Sequence, residues 1–233
     1  MSYKWNTRTE LLLGAERMEY LSHCHVLVVG LGGVGAYAAE QICRAGIGHM
    51  TIVDADTVND SNINRQLPAL HSTLGMQKAE VVGQRLLDIN PRLKLTILNE
   101  FLRDERTEEV LSAQKYDFIV DAIDSLSPKA YLIYHAYRRE IPIVSSMGAG
   151  AKIDPSQVKI ADISKTCNCA LAKAVRKRLR GMGLNKRIPV VFSTEIANPE
   201  VENEQCKRTT TGTVSYMPAI FGCYLASYVI RNI

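Results

Sequence analysis

Short apolar runs separated by amphipathic stretches organise the first two thirds of the chain. Val26–Val29, Met50–Val53, Leu93–Leu98, Tyr116–Val120 and Ile141–Ser145 are of strand length and mainly apolar, the pattern of strands covered on both faces. Segments with helical spacing lie around and between them. Thr9–Tyr20 is amphipathic, and Val34–Ala45 stops at Gly46, a residue type that terminates helices readily. Gly75–Asn90 sets Ala79, Val82, Leu86 and Ile89 on one face and is closed by Pro91. Arg106–Gln114 and Pro128–Arg139 complete the series. Strands alternating with helices predict a mostly parallel sheet with right-handed crossovers and helices on both faces, a Rossmann-like α/β fold. After Ala151 the alternation loosens into an α/β C-terminal extension. It reads as a turn at Asp154-Pro155, a basic helix near Ala170–Arg180, a strand at Val190–Ser193, a polar loop and a closing helix.

At 233 residues and 46% hydrophobic content, the chain suffices for one sizeable domain. Its longest apolar run, Val214–Ile230, is interrupted by Ser215, Pro218 and Ser227 and is shorter than the roughly 20 residues a membrane helix needs, so a buried helix is expected. Met1–Glu10 is polar and lacks the apolar core of a secretory leader, so a cytoplasmic location is expected. The six cysteines (Cys24, Cys43, Cys167, Cys169, Cys206 and Cys223) form no C-x-x-C pair, which argues against a zinc ribbon. In the cytosol they would be reduced thiols. The net charge of +4 is unevenly spread. Lys165, Lys173, Arg176, Lys177, Arg178, Arg180, Lys186 and Arg187 fall in one stretch without an acid, so the remainder of the chain is net acidic. Such local basicity points to a surface for an anionic partner.

The apolar run Val26–Val29 leads into GLGGVG at Gly30–Gly35. A strand turning through glycines into a helix lets backbone N–H groups face a phosphate with no side chain in the way. A glycine fingerprint alone indicates only a nucleotide. The second strand, however, ends in Asp54-Ala55-Asp56, followed by Asn62-Ile63-Asn64-Arg65-Gln66 and Lys78. A redox dinucleotide needs the acid for a ribose but not the downstream guanidinium and ammonium, which suit a triphosphate. Gly30, Asp54, Asp121 and Asp124 all fall at carboxyl ends of predicted parallel strands, where ligands sit in such sheets. Gly30, Gly32, Gly33, Gly35, Asp54, Asp56, Asn62, Arg65, Gln66, Lys78, Asp121 and Ser125 are the candidates for this nucleotide site, with Asp121 either a contact or only a support of it.

This ordered set, with Asp121-Ala122-Ile123-Asp124-Ser125, resembles the ThiF/MoeB/ubiquitin-activating superfamily of carboxylate-adenylating enzymes. Within it the chain is similar to the tRNA threonylcarbamoyladenosine dehydratases, on the strength of Asp121–Ser125, Lys152–Pro155 and Val191–Glu195, over about Arg8 to Ile230. The resemblance implies one adenylating domain over 1–233. Residues 1–25 would be an N-terminal helix with a dimer arginine, 26–151 the nucleotide-binding core, and 152–233 a substrate- and tRNA-facing extension. It implies that Asp54 binds the ribose hydroxyls, that Asn62 and Arg65 grip phosphates beside Gln66, and that Lys78 neutralises the β/γ end. Asp124 would hold Mg²⁺. Arg8 would reach the ATP of a neighbouring subunit in a homodimer. Arg65, Lys78, Asp124 and Arg8 are thus the expected catalytic set.

The implied reaction is ATP-dependent cyclisation, with loss of water, of a threonylcarbamoyl group on the tRNA adenosine beside the anticodon, through an acyl-adenylate. Lys173, Arg176, Lys177, Arg178, Arg180, Lys186 and Arg187 would then track tRNA phosphates, with the polar loop after Ser193. Cys167 or Cys169 is a candidate thioester nucleophile, though no base lies nearby in sequence. Many dehydratase-like relatives carry a cysteine just before the final helix, where this chain has Arg208-Thr209-Thr210-Thr211-Gly212. Three other readings stand beside this one. The activated carboxylate is the C-terminus of a ubiquitin-like sulfur carrier, the chain is a nicotinamide-dependent oxidoreductase, or it is a non-catalytic RNA adaptor.

Overall fold

The computed structural model describes residues 4–197, 202–203 and 210–233. Seven strands form one sheet: β1 (His25–Val29), β2 (His49–Val53), β3 (Lys94–Leu98), β4 (Phe118–Asp121), β5 (Ile143–Ser146), β6 (Val158–Asp162) and β7 (Pro189–Ser193). Their spatial order is β3-β2-β1-β4-β5-β7-β6. All neighbouring pairs are parallel except β6–β7, which is antiparallel. A two-stranded ribbon, β8 (Glu202–Asn203) with β9 (Thr210–Thr211), lies outside the sheet.

The central strands are buried along their length because alternate residues enter different cores. Val26 and Val28 of β1, Met50 and Ile52 of β2, and Phe118 and Val120 of β4 pack on one face. There they meet α2 (Ala15–His23), α3 (Gly35–Arg44), α4 (Lys78–Ile89) and α8 (Tyr216–Asn232). Leu27, Val29, Val53 and Ile119 point to the other face, against α5 (Glu105–Ala113), α6 (Leu126–Arg138) and α7 (Ala170–Gly181). Strands with apolar side chains in both directions need helices on both sides, which is the expected mostly parallel architecture.

Three local readings change. The helix expected over Thr9–Tyr20 is two, α1 (Thr7–Leu13) and α2, because Gly14 at φ 86° breaks the run. The helix expected from Gly75 starts at Lys78, after an extended Gln77. Strand β6 was not anticipated. Only Val158 of its residues is buried, so it lacks the apolar run of the other strands, and its antiparallel pairing extends the sheet beyond β7.

Candidate nucleotide and substrate site

Strand order reverses between β1 and β4, so the crevice beyond their carboxyl ends is where an open α/β sheet accepts a ligand. The glycines after β1 are required there by space. Gly30 adopts φ 89°, and a Cβ on it would lie 2.8 Å from the Ala122 carbonyl oxygen. A Cβ on Gly35 would lie 1.7 Å from the Gly30 carbonyl oxygen. The turn is thus pressed against the loop after β4, and helix α3 begins immediately behind it. Gly33 faces Pro218 and the Arg65 carbonyl, while Gly32 faces the Gln66 amide.

The acid after β2 is anchored to this turn. Asp54 Oδ2 accepts from Leu31 N at 2.6 Å and Oδ1 accepts from Asp56 N at 2.8 Å. Each oxygen keeps a second lone pair for an outside donor. Burial pushes the Asp54 carboxyl above the ordinary carboxylate range, against the pull of those N–H groups and of Lys78. Lys78, at the start of α4 and only 4% exposed, donates from Nζ to Asp56 Oδ2 at 2.8 Å. Asp56 is itself mostly exposed and is the partner of Lys78. Asn62 is buried, and its Oδ1 accepts from Asn59 N. Arg65 donates through Nη1 to Ser61 O and Asn64 Oδ1, leaving Nε and Nη2 unpaired among the described residues. The buried Gln66 Oε1, beside Gly32, has no hydrogen-bond partner among the described residues. An orphaned acceptor at a glycine turn suits a ligand that brings its own donor.

The two aspartates after β4 differ sharply. Asp121 is fully buried. Its Oδ2 accepts from Lys129 Nζ at 2.7 Å and Ser145 Oγ at 2.5 Å, and its Oδ1 accepts from Ile123 N at 3.1 Å. Both oxygens are engaged within the fold. Of the two roles open to Asp121, contact with the nucleotide or support of the site, these bonds favour support, with Oδ1 holding Ile123 N in the loop that carries Asp124. Asp124 and Ser125 are exposed, and the Asp124 carboxylate is unpaired among the described residues. One free carboxylate beside a glycine turn fits Mg²⁺, which is usually held by one or two carboxylates, phosphate oxygens and water. No group of three or more His, Cys, Asp and Glu residues suited to a metal occurs among the described residues.

Lys129 and Ser145 had not been singled out. The signal for Lys129 was its place on the apolar stripe of α6, in line with Ile133 and Ala136, where a lysine requires a buried acceptor.

The C-terminal segments close over the same crevice. Asn64 Nδ2 donates to Thr213 O, and Ala151 N donates to Gly212 O. Lys152 Nζ donates to the carbonyls of Asn168 and Glu195. The Glu195 carboxylate in turn accepts from Ile153 N and Asp154 N. Lys152–Pro155 and Val191–Glu195, separate in sequence, thus interlock. Burial lowers the Lys152 pKa while Cys169 and Glu195 pull it back up.

On α7, Lys173, Lys177, Arg178 and Arg180 are exposed, as are Lys186 and Arg187 beyond it. Arg176 differs from the expected phosphate-tracking set. It turns inward, with Nη1 donating to Ile163 O, Thr166 O and Thr166 Oγ1. Cys169 caps α7, its Sγ accepting from Ala172 N, and Cys167 is exposed. Cys206, Arg208 and Thr209 lie outside the described residues. Arg8 is exposed on α1, a helix with no buried residue, beside Leu11 and Leu12 at 82% and 84% exposure. A separate cavity of about 450 Å³, lined by residues including Phe118, Pro142, Arg187 and Tyr228, opens at the amino ends of β4, β5 and β7, away from this site.

Fold and site together define an α/β protein of the nucleotide-binding kind, with a glycine turn, a buried acid and two cations gathered beyond the carboxyl ends of its central strands. The chain belongs to the ThiF family, which it matches over residues 3–233. It is 37% identical to the tRNA threonylcarbamoyladenosine dehydratase of Bacillus subtilis, over 97% of this chain and 93% of that one. The Escherichia coli enzyme of the same name is 34% identical, over 100% and 95%. The crystal structure of the Escherichia coli dehydratase in complex with ATP matches with a TM-score of 0.90 at 35% identity, covering 98% of this chain and 93% of that one. The molybdopterin-synthase adenylyltransferase of Salmonella typhimurium shares 33% identity, over 60% of this chain and 54% of its own.

Proposed function

We propose that this chain is a tRNA threonylcarbamoyladenosine dehydratase, which spends ATP to cyclise a threonylcarbamoyl group on tRNA adenosine with loss of water. The observation that carries the proposal is likeness to proteins of that name along the whole chain, whereas likeness to the molybdopterin-synthase adenylyltransferase stops at 60% of it. In this reading 26–151 binds the nucleotide, 152–233 faces the RNA, and 1–25 serves a dimer.

ATP lies across the glycine turn as co-substrate. Asp54 accepts from the ribose hydroxyls with the lone pairs its backbone donors leave free. Arg65 presents Nε and Nη2 to the phosphates beside Asn62 and Gln66, and Lys78 exchanges Asp56 for the β/γ end. Asp124 would hold Mg²⁺, which supplies further neutralisation of the triphosphate. A carboxylate oxygen of the threonyl group attacks the α-phosphorus, and the bond to pyrophosphate breaks. A nitrogen of the carbamoyl group then attacks the activated acyl carbon, loses its proton to solvent, and AMP leaves with the C–O bonding pair. Because that nucleophile is tethered, effective molarity can supply about 7–11 kcal/mol of the barrier reduction. The protein's task is to orient the carboxylate and to stabilise charge on the phosphates. No thiol takes part.

Exposure of Leu11 and Leu12 beside Arg8 supports a homodimer in which this face of α1 is covered by a second copy and Arg8 serves the partner's ATP. A tRNA substrate supports a cytoplasmic location, and among the described residues no helix is long and apolar enough to cross a membrane.

Pyrophosphate release tests the substrate class. Purified protein with ATP and Mg²⁺ is given either threonylcarbamoylated tRNA or a ubiquitin-like carrier ending in glycine. Release with the tRNA alone is expected. Release with the carrier and not the tRNA would transfer the assignment to carrier activation.

A further inference from the structure

Among the exposed large apolar side chains, Ile153, Tyr216 and Ile196 come from three distant segments, at 68%, 42% and 78% exposure. Single exposed apolar residues are ordinary on a protein surface. These three belong to segments joined by dedicated hydrogen bonds. Tyr216 Oη donates to Ile153 O at 2.8 Å. Ile153 N donates to the Glu195 carboxylate at 3.0 Å, and Ile196 follows Glu195 in the chain. Lys152 Nζ ties the Glu195 carbonyl from beneath.

The position of this patch is as informative as its chemistry. On one side, Tyr216 opens α8 two residues before Pro218, which abuts Gly33 of the nucleotide turn. On the other, Lys152 donates to Asn168 O, one residue before the cap of α7. From that cap run Lys173, Lys177 and Arg180, exposed at i, i+4 and i+7 on one stripe. Hydrogen bonds and chain neighbours therefore link the Tyr216 segment to the glycine turn in one direction and to a row of cations in the other.

We propose that Tyr216, flanked by Ile153 and Ile196, is the stacking site for an unpaired base next to the modified adenosine of the RNA substrate. The proposal rests on the reading that the substrate is tRNA. Proteins that recognise RNA loops splay the bases and stack them on aromatic faces, while cations follow the backbone. A tyrosine already fixed through its hydroxyl has little side-chain freedom to lose on binding. The stripe on α7 matches the charge of the backbone leading from that base, and continuity with the cleft delivers the neighbouring nucleotide to ATP.

The test compares Tyr216→Ala, Tyr216→Phe and Tyr216→Trp in steady-state kinetics, varying RNA and ATP separately. A 2-aminopurine placed next to the modified adenosine reports stacking by fluorescence quenching. Tyr216→Ala is expected to raise the KM for RNA roughly tenfold or more with the KM for ATP unchanged, and to abolish the quenching. Tyr216→Phe and Tyr216→Trp, which keep a ring but lose the bond to Ile153 O, are expected to restore both. Three outcomes overturn the proposal: an unchanged KM for RNA in Tyr216→Ala, an equal rise in the KM for ATP, or a Phe variant as impaired as Ala. Failure of the unaltered protein to turn over or bind RNA would instead remove the tRNA reading itself, and this proposal with it.

Discussion

At the nucleotide end of the sheet, charged groups are partnered within the fold, while the stripe on α7 is not. Asp54, Asp56, Lys78 and Asp121 each have a protein partner within hydrogen-bond distance. Among the described residues, Lys173, Lys177 and Arg180 make no ion pair. On the proposed function the difference follows the ligands. A triphosphate and its reacting carboxylate must be held to a fraction of an ångström, so their binding groups are oriented in advance by backbone donors and ion pairs. A polyanion needs charge density along a path, and long exposed side chains supply it without fixed geometry. Asp124 stands where the two designs meet, held by a loop that Asp121 anchors but itself unpaired.

The largest effects are expected where a buried partner is removed. Lys129→Met leaves the Asp121 carboxylate buried without its cation and should lower stability by about 3–5 kcal/mol in urea unfolding. Lys177→Gln, on the exposed stripe, should stay within about 0.5 kcal/mol. Equal losses would erase the distinction. Next, Lys78→Met should reduce the rate of pyrophosphate release roughly 10²–10³-fold, the scale for losing one charge-stabilising group, with RNA affinity intact. A parallel fall in RNA affinity would show the two regions to be one.

The triple variant Lys173→Gln/Lys177→Gln/Arg180→Gln should lower the slope of log affinity for RNA against log salt by about 2–3, with ATP affinity unchanged. An unaltered slope would take the RNA off α7. Acidity should act on the nucleotide end. Burial raises the Asp54 pKa, so on acidification the carboxylate gains its proton, and loses acceptor capacity for the ribose, at a pH above the usual carboxylate range. ATP affinity should therefore fall in that window, and Asp54→Asn should remove the step. For stability the sign is opposite. Between the unfolded and folded pKa values the folded state holds more of the proton, so Asp54 destabilises the fold progressively as pH rises through that window. Smallest of all, Cys167→Ser/Cys169→Ser should change the rate by less than about twofold, because the proposed chemistry uses no thiol.

Much of the nucleotide end was legible because its signals are local. Gly30–Gly35 and Asp54 sit at strand ends that period and turn chemistry locate, Lys78 falls within three residues of the expected helix start, and the alternation of strands and helices foretold the sheet. What was not legible depends on partners far along the chain. Asp121 reads as either a ligand residue or a support until Lys129 and Ser145 are seen to enclose it. Arg176 reads as one of eight equivalent cations until helical geometry turns it toward Ile163 and Thr166. Strand β6 is short and partly polar, and its assignment rests on pairing with β7, some thirty residues later. The joining of Lys152 to Glu195 spans 43 residues, and neither residue type announces the other.

The most direct test is mass spectrometry of nucleosides from threonylcarbamoylated tRNA incubated with the protein, ATP and Mg²⁺, beside the Asp124→Ala variant. Loss of one water from the modified nucleoside, requiring both ATP and Asp124, is the predicted result. An unchanged nucleoside from protein that binds ATP, or loss of water without ATP, would contradict the account.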